Sequence, residues 1–163
     1  MNKIWKPALA GALWLVLSSC DEGAVGPDGF QREYTTSRNA LETGKFDKAS
    51  RGYARLLQNS GRYEPWVRLE YSHALLRANE FQAAAEQART LAASQTGPAR
   101  SAALVVQGTA EHELGMTKPG AEGDAYLRSA RAALTEALNE TPELDRYGAL
   151  TARKARLDQQ LGG

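Results

Sequence analysis

The sequence predicts an all-α fold built as a solenoid of helical hairpins, and three observations support that. Ala, Leu, Glu, Arg and Gln dominate while aromatic residues make up 7% of the 163, a balance that favours helix over strand. The chain also repeats itself. In "ALETGKFDKASRGYARLL" (40–57) and "LLRANEFQAAAEQARTLA" (75–92), Gly44, Phe46, Ala49, Tyr53 and Leu56 recur as Asn79, Phe81, Ala84, Ala88 and Leu91. Finally, turn-forming residues punctuate the chain and leave segments of helical length between them.

The first 19 residues stand apart. Lys3 and Lys6 make a basic start, Ala8 to Leu17 is apolar, and small residues follow. Ten helical residues reach only about half of a ~30 Å hydrocarbon core, so the layout is that of a signal peptide rather than a spanning helix. The tetrad Leu17-Ser18-Ser19-Cys20 resembles the bacterial lipobox. The resemblance implies cleavage before Cys20 and acylation of that residue, with several acyl chains giving stable attachment where one would not. The anchor would lie in the bacterial cell envelope and face the periplasm, with inner and outer membrane both open. An incidental Cys after an ordinary signal peptide is the alternative. Cys20 is the only cysteine, so no intramolecular disulfide or cysteine-rich metal site can form. Residues 20–29, rich in Gly, Pro and acid, read as a flexible tether.

The helical domain is expected over 30–163, with helices at about 31–43, 47–59, 65–78, 81–94, 98–114, 124–140 and 143–161. Breaks fall at "TGK", "NSGRYEP", "RANE", "SQTGP", "MTKPGAEG" and "TP". Gly44 and Asn79 suit a left-handed helix end. Phe46 and Phe81 would plug the gap between paired helices, and Ala49, Ala84 and Ala130 would let those helices approach closely. Pro142 closes the third unit. Residues 116–125 read as an insertion in that unit, either a protruding loop or tolerated slack. The last segment carries Leu144, Tyr147, Leu150, Leu157 and Leu161 among charges, as a capping helix with a polar outer face requires.

A period near 34, two amphipathic helices per unit and a turn followed by an aromatic residue resemble the tetratricopeptide repeat. The resemblance implies about three repeats plus a C-terminal capping helix. It is incomplete. Glu33, Ser37, Arg68 and Ser72 stand where the family's first helix places Trp and Gly, and only Gly108 keeps the Gly. The rival is a generic helical bundle.

Lys and Arg number 20 against 19 for Asp and Glu, giving a net charge of +1 and no reason to expect nucleic acid as a partner. No phosphate loop or nucleophile elbow is present. Glu111-His112-Glu113 are consecutive, so on a helix they point about 100° apart and do not converge on one ion. No catalytic residues, metal or cofactor are expected.

In the family, the first helix of each unit lines a concave groove. Projected registers place Tyr34, Arg38 and Leu41 there from the first unit, Trp66, Leu69, His73 and Arg77 from the second, and Val105, Thr109 and His112 from the third. Trp66 follows Pro65 and sits beside Arg, the composition of a binding hot spot, but core packing between units is equally open to it. For His73 and His112 a pH-sensing role stands beside ordinary hydrogen bonding. The co-chaperone carboxylate clamp does not carry over, because Tyr34, Arg38 and Leu76 stand where it needs Lys and Asn. The whole layout resembles pilus-assembly and pilotin lipoproteins of tight-adherence and type IV pilus systems. That implies a scaffold for another envelope protein, such as a secretin. Outer-membrane protein assembly and cell-wall machinery are the alternatives of the same kind, and an enzyme or an accessory enzyme subunit is the alternative from a different class.

Overall fold

A computed structural model describes residues 27–162; the expected signal peptide over 1–19 and the expected acylation site Cys20 lie outside the described residues. Those residues are all-helical. Seven α-helices run α1 Pro27–Glu42, α2 Phe46–Gln58, α3 Glu64–Arg77, α4 Phe81–Ser94, α5 Gly97–Thr117, α6 Gly120–Glu140 and α7 Ala149–Gly162. Short 3₁₀ turns at Gly61–Tyr63 and Pro142–Asp145 precede α3 and α7. The helix α1 begins within the expected tether. Pro27 suits a first helical position and Asp28 the positive end of the helix dipole.

The first two hairpins turn by the same hydrogen bonds. Gly44 N–H donates to Leu41 and Lys45 N–H to Ala40; 35 residues later Asn79 N–H donates to Leu76 and Glu80 N–H to Leu75. Both are Schellman caps, and Gly44 and Asn79 take the left-handed conformation they require (φ 74° and 62°). Phe46 and Phe81 follow as the first residues of α2 and α4, each half-buried.

Small residues set how closely the helices pair. Ala49, Ala84 and Ala130 are fully buried, as are Ser37 and Ser72. Each serine hydroxyl donates to a carbonyl of its own helix, Ser37 to Glu33 and Ser72 to Leu69, so neither leaves a polar group unpaired at the seam. Each helix packs chiefly on its neighbours in the chain, with α3 also touching α5. Apolar clusters fill the spaces between them, the last formed by Leu157 against Leu127, Ala130 and Leu134.

Two expectations are corrected. Residues 116–125 form no protruding loop: α5 and α6 extend through most of them and leave only a tight turn at Lys118-Pro119. Gly115 and Gly123 make this possible. A Cβ on Gly115 would stand 2.5 Å from Leu127 Cδ2, and one on Gly123 would stand 2.3 Å from the Lys118 carbonyl oxygen. The final segment, expected as one helix over 143–161, breaks at Gly148 (φ 72°). Asp145 opens α7 by accepting from Leu150 N–H at 2.8 Å and Thr151 N–H at 3.0 Å. The Thr151 hydroxyl and these amides hold its carboxyl below the usual range. Leu144 and Tyr147, assigned to that helix, are exposed outside it.

The close approach at Gly123 predicts that Gly123→Ala destabilises the domain by about 2 kcal/mol despite alanine's better helix propensity. Urea unfolding should show a lower midpoint with an unchanged slope.

Candidate functional site: the face shared by α1 and α3

Parallel first helices bring the expected groove residues of the first two units together. The Trp66 indole N–H donates to the Tyr34 hydroxyl at 2.9 Å. Four residues further along both helices, Arg38 donates to Glu70 at 2.6 Å and also to Glu42 of its own helix at 2.7 Å. These carboxylates, Glu42 foremost, raise the guanidinium's pKa further above its already high range.

Two concavities follow. One of about 490 Å³ is lined by Arg38, Leu41, Glu42, Glu70, His73 and Arg77. The other, about 690 Å³, lies between Phe30, Tyr34, Tyr63, Trp66 and neighbouring residues. Trp66 is 63% exposed, so it is not core between units. Arg77 stacks its guanidinium over the Phe46 ring, 4.6 Å from the centroid, and among the described residues it has no carboxylate partner. His73 is exposed. Its pKa is lowered mainly by the protein packed around the ring and further by Arg77 and Arg38, against the opposing pull of Glu70.

Beneath this face lies Tyr53 of α2, fully buried and edge-on to Tyr34 with ring centroids 6.1 Å apart. Its hydroxyl has no hydrogen-bond partner. Burial first, then Glu70 and Tyr34, push its pKa well upward against the pull of Arg38.

No protein-family model matches the chain, and no curated protein or solved structure does.

The third unit joins this face only in part. Leu69 and Val105 each pack against the cluster that includes Leu91, Ala92, Ala103 and Leu104, and Thr109 stays half-exposed. His112 does not line the groove. It is 6% exposed beneath α7, with Nδ1 2.9 Å from Arg153 Nη1. Arginine can only donate, so Nδ1 accepts and the ring proton sits on Nε2, which is buried without a partner. Burial, then Arg153, lowers the His112 pKa. Its neighbour Glu111 turns away to meet Arg89 and Gln107. Among the described residues, no three His, Cys, Asp or Glu side chains stand close enough together to hold a metal ion.

Glu70, Tyr53, Phe30 and Tyr63 also shape this face and were absent from the sequence-based set. For Glu70 a signal existed: parallel helices offset by 32 residues put it opposite Arg38.

Two outcomes follow. Tyr53→Phe removes an unpartnered buried hydroxyl and should leave thermal stability unchanged or raise it by about 1 kcal/mol. His112 has a folded pKa below its ordinary 6.5, so its unfolded form binds more protons between the two values. Its contribution to stability is full above about pH 6.5 and is lost as pH falls from there through the folded pKa. Urea titrations across that window should show a shallower pH dependence in His112→Gln than in the parent.

Proposed function

We propose that this chain is a lipid-anchored, tetratricopeptide-like scaffold of the bacterial envelope that holds a segment of another envelope protein on the α1/α3 face. The reading favours binding over catalysis. Support for the repeat comes from the two Schellman turns 35 residues apart and the small-residue seams of successive hairpins. Support for the anchor comes from the basic, apolar and small-residue order that ends in Leu17-Ser18-Ser19-Cys20.

The observation that carries the binding reading is the open face itself. Leu41 offers apolar contact while Arg77, without a carboxylate partner among the described residues, and the exposed His73 offer donors to a carbonyl or carboxylate. Arg38 is already committed to Glu42 and Glu70. The edges of the face are polar while its floor is partly apolar, which suits an extended or helical protein segment better than a small polar substrate. On the strength of the lipoprotein layout, the segment is assigned to a secretin or another pilus-assembly component.

Affinity purification of the lipoprotein from its native membranes tests this. A secretin or pilus component should co-purify, and Arg77→Glu should reduce its recovery at least fivefold, about 1 kcal/mol. Cys20→Ala should move the protein from the membrane to the soluble fraction. Recovery of outer-membrane assembly or wall-synthesis proteins instead would replace the pilus assignment, and unchanged recovery with Arg77→Glu would remove this face as the contact.

A further inference from the structure

Alternating helix direction sorts the chain ends into two sides. The helices α1 and α3 run parallel, as the Tyr34–Trp66 and Arg38–Glu70 contacts require. The helices α5 and α7 do likewise through His112–Arg153 and Met116–Gln160. The helix α6 runs against α5, with Arg100 meeting Glu140 and Gly115 abutting Leu127. One side of the molecule therefore gathers the starts of α1, α3, α5 and α7 with the ends of α2, α4 and α6.

That side carries most of the exposed large apolar side chains. Tyr63 (48%), Trp66 (63%), Leu144 (41%) and Tyr147 (89%) all stand there, and of the described residues in this class only Met116 lies at the opposite side. Phe30 at the start of α1 stacks on Tyr63 with centroids 5.5 Å apart. Arg62 lies 4.9 Å from the Tyr63 centroid and donates to its hydroxyl at 2.7 Å. Arg146 is exposed between Leu144 and Tyr147. Single exposed apolar residues need no explanation, but their gathering on one side does.

The start of α1, where the described chain begins at Pro27, lies on this same side. Only seven residues lead from Cys20 to Pro27, and seven residues span at most about 25 Å whatever their path. On the reading that Cys20 is acylated, this side can never be far from lipid. We propose that it rests in the headgroup layer of the anchoring membrane, with Trp66, Tyr63 and Tyr147 as interfacial contacts and Arg62 on lipid phosphate. Trp and Tyr have apolar bodies and hydrogen-bonding tips, which suit them to that layer. Arg binds phosphate with a planar fork of donors. The anchor makes the contact intramolecular, so even weak individual contacts would be populated.

Trp66 provides the measurement. The chain has three tryptophans, Trp5, Trp14 and Trp66. With Trp5→Phe and Trp14→Phe, Trp66 becomes the sole emitter whether or not the signal segment is removed. The full lipoprotein is expressed in a bacterial host and reconstituted into phosphatidylethanolamine/phosphatidylglycerol vesicles with ordinary or brominated acyl chains. Mass spectrometry reports acylation of Cys20 independently. Brominated lipid should quench at least about half of the Trp66 emission, as interfacial residence requires. Replacing Arg62→Glu, Tyr63→Ser and Tyr147→Ser together should restore the emission while the protein stays acylated and helical.

Equal emission in both vesicles from acylated protein overturns the inference and leaves the anchor reading standing. Quenching without acylation supports the surface and overturns the anchor. Trp66 emission that ignores brominated lipid but becomes shielded from a soluble quencher when a protein partner binds overturns the membrane assignment in favour of a protein contact.

Discussion

How closely two helices can lie is set by the smallest side chains between them, and the rest of this molecule depends on that spacing. Where α1 meets α2, Ser37 sits against Gly52, whose added Cβ would lie 2.0 Å from the serine Oγ. Where α5 meets α6, Gly108 approaches the Ala130 carbonyl so closely that its Cβ would stand 3.0 Å away. Such contact leaves little room for larger side chains and fixes each hairpin as a tightly packed pair. Wider hairpins would not place α1 and α3 side by side at the present distance. The Arg38–Glu70 bridge spans that distance, and the Trp66–Tyr34 hydrogen bond shares it. An ion pair this exposed adds little stability by itself; its effect is to hold the two helices in register. The open face is thus a consequence of packing on the opposite side of the same helices.

Polar groups inside the domain divide by the same geometry. Glu111 is fully buried on α5 but meets Arg89 and Gln107, so its Oε1 is satisfied. Its Oε2 has no partner, and Tyr53 and His112 likewise each keep an unpartnered polar atom. An unpaired buried polar group costs more than a hydrogen bond of the ordinary kind contributes. His112 is understandable as a helix face covered late in the chain: α7 lies across it and Arg153 satisfies one nitrogen. Tyr53 has no comparable neighbour, and its hydroxyl lies under the face where a partner is proposed to bind.

The number of helices and most of their bodies could be read from sequence, because several helix ends carry chemical signals that act locally. Gly44 and Asn79 end helices by their backbone conformation, and Pro65 and Pro98 stand near helix starts. What failed was any inference in which a residue type has two uses. Gly123 falls in the expected break "MTKPGAEG" and Gly115 just past the expected helix end at 114, yet tertiary packing uses both as points of close contact inside helices; the glycines alone read 116–125 as an insertion. Gly148 breaks the final segment because Asp145 supplies an alternative helix start, a pairing invisible to periodicity. Projection from sequence did bring residues together where two parallel helices define a face: Tyr34, Arg38, Leu41, Trp66, His73 and Arg77. His112 was placed in the groove wrongly because its exposure depends on α7, whose direction no local pattern in α5 encodes. The stacking of Phe30 on Tyr63 was likewise out of reach, since it joins the start of one hairpin to the turn before the next.

If the aromatic side meets the membrane, the partner face acquires a height and a direction. Trp66 and Arg77 lie at opposite ends of α3, eleven residues apart, which at 1.5 Å per residue is about 16 Å along the helix. With Trp66 in the headgroup layer and α3 standing upright, Arg77 and the exposed His73 would project beyond the lipid headgroups into water. The Tyr34–Trp66 end would then be the lower limit of the face and the Gly44 turn its upper one. A partner segment reaching Arg77 would come from the aqueous side, not up from the bilayer. Lipid contact and partner contact would therefore divide a single helix by depth, without competing for the same side chains. Under the proposed acylation of Cys20, the anchor alone would not fix the domain's orientation; a second contact through Tyr63, Trp66 and Tyr147 would, and it would keep the α1/α3 face turned toward the aqueous side.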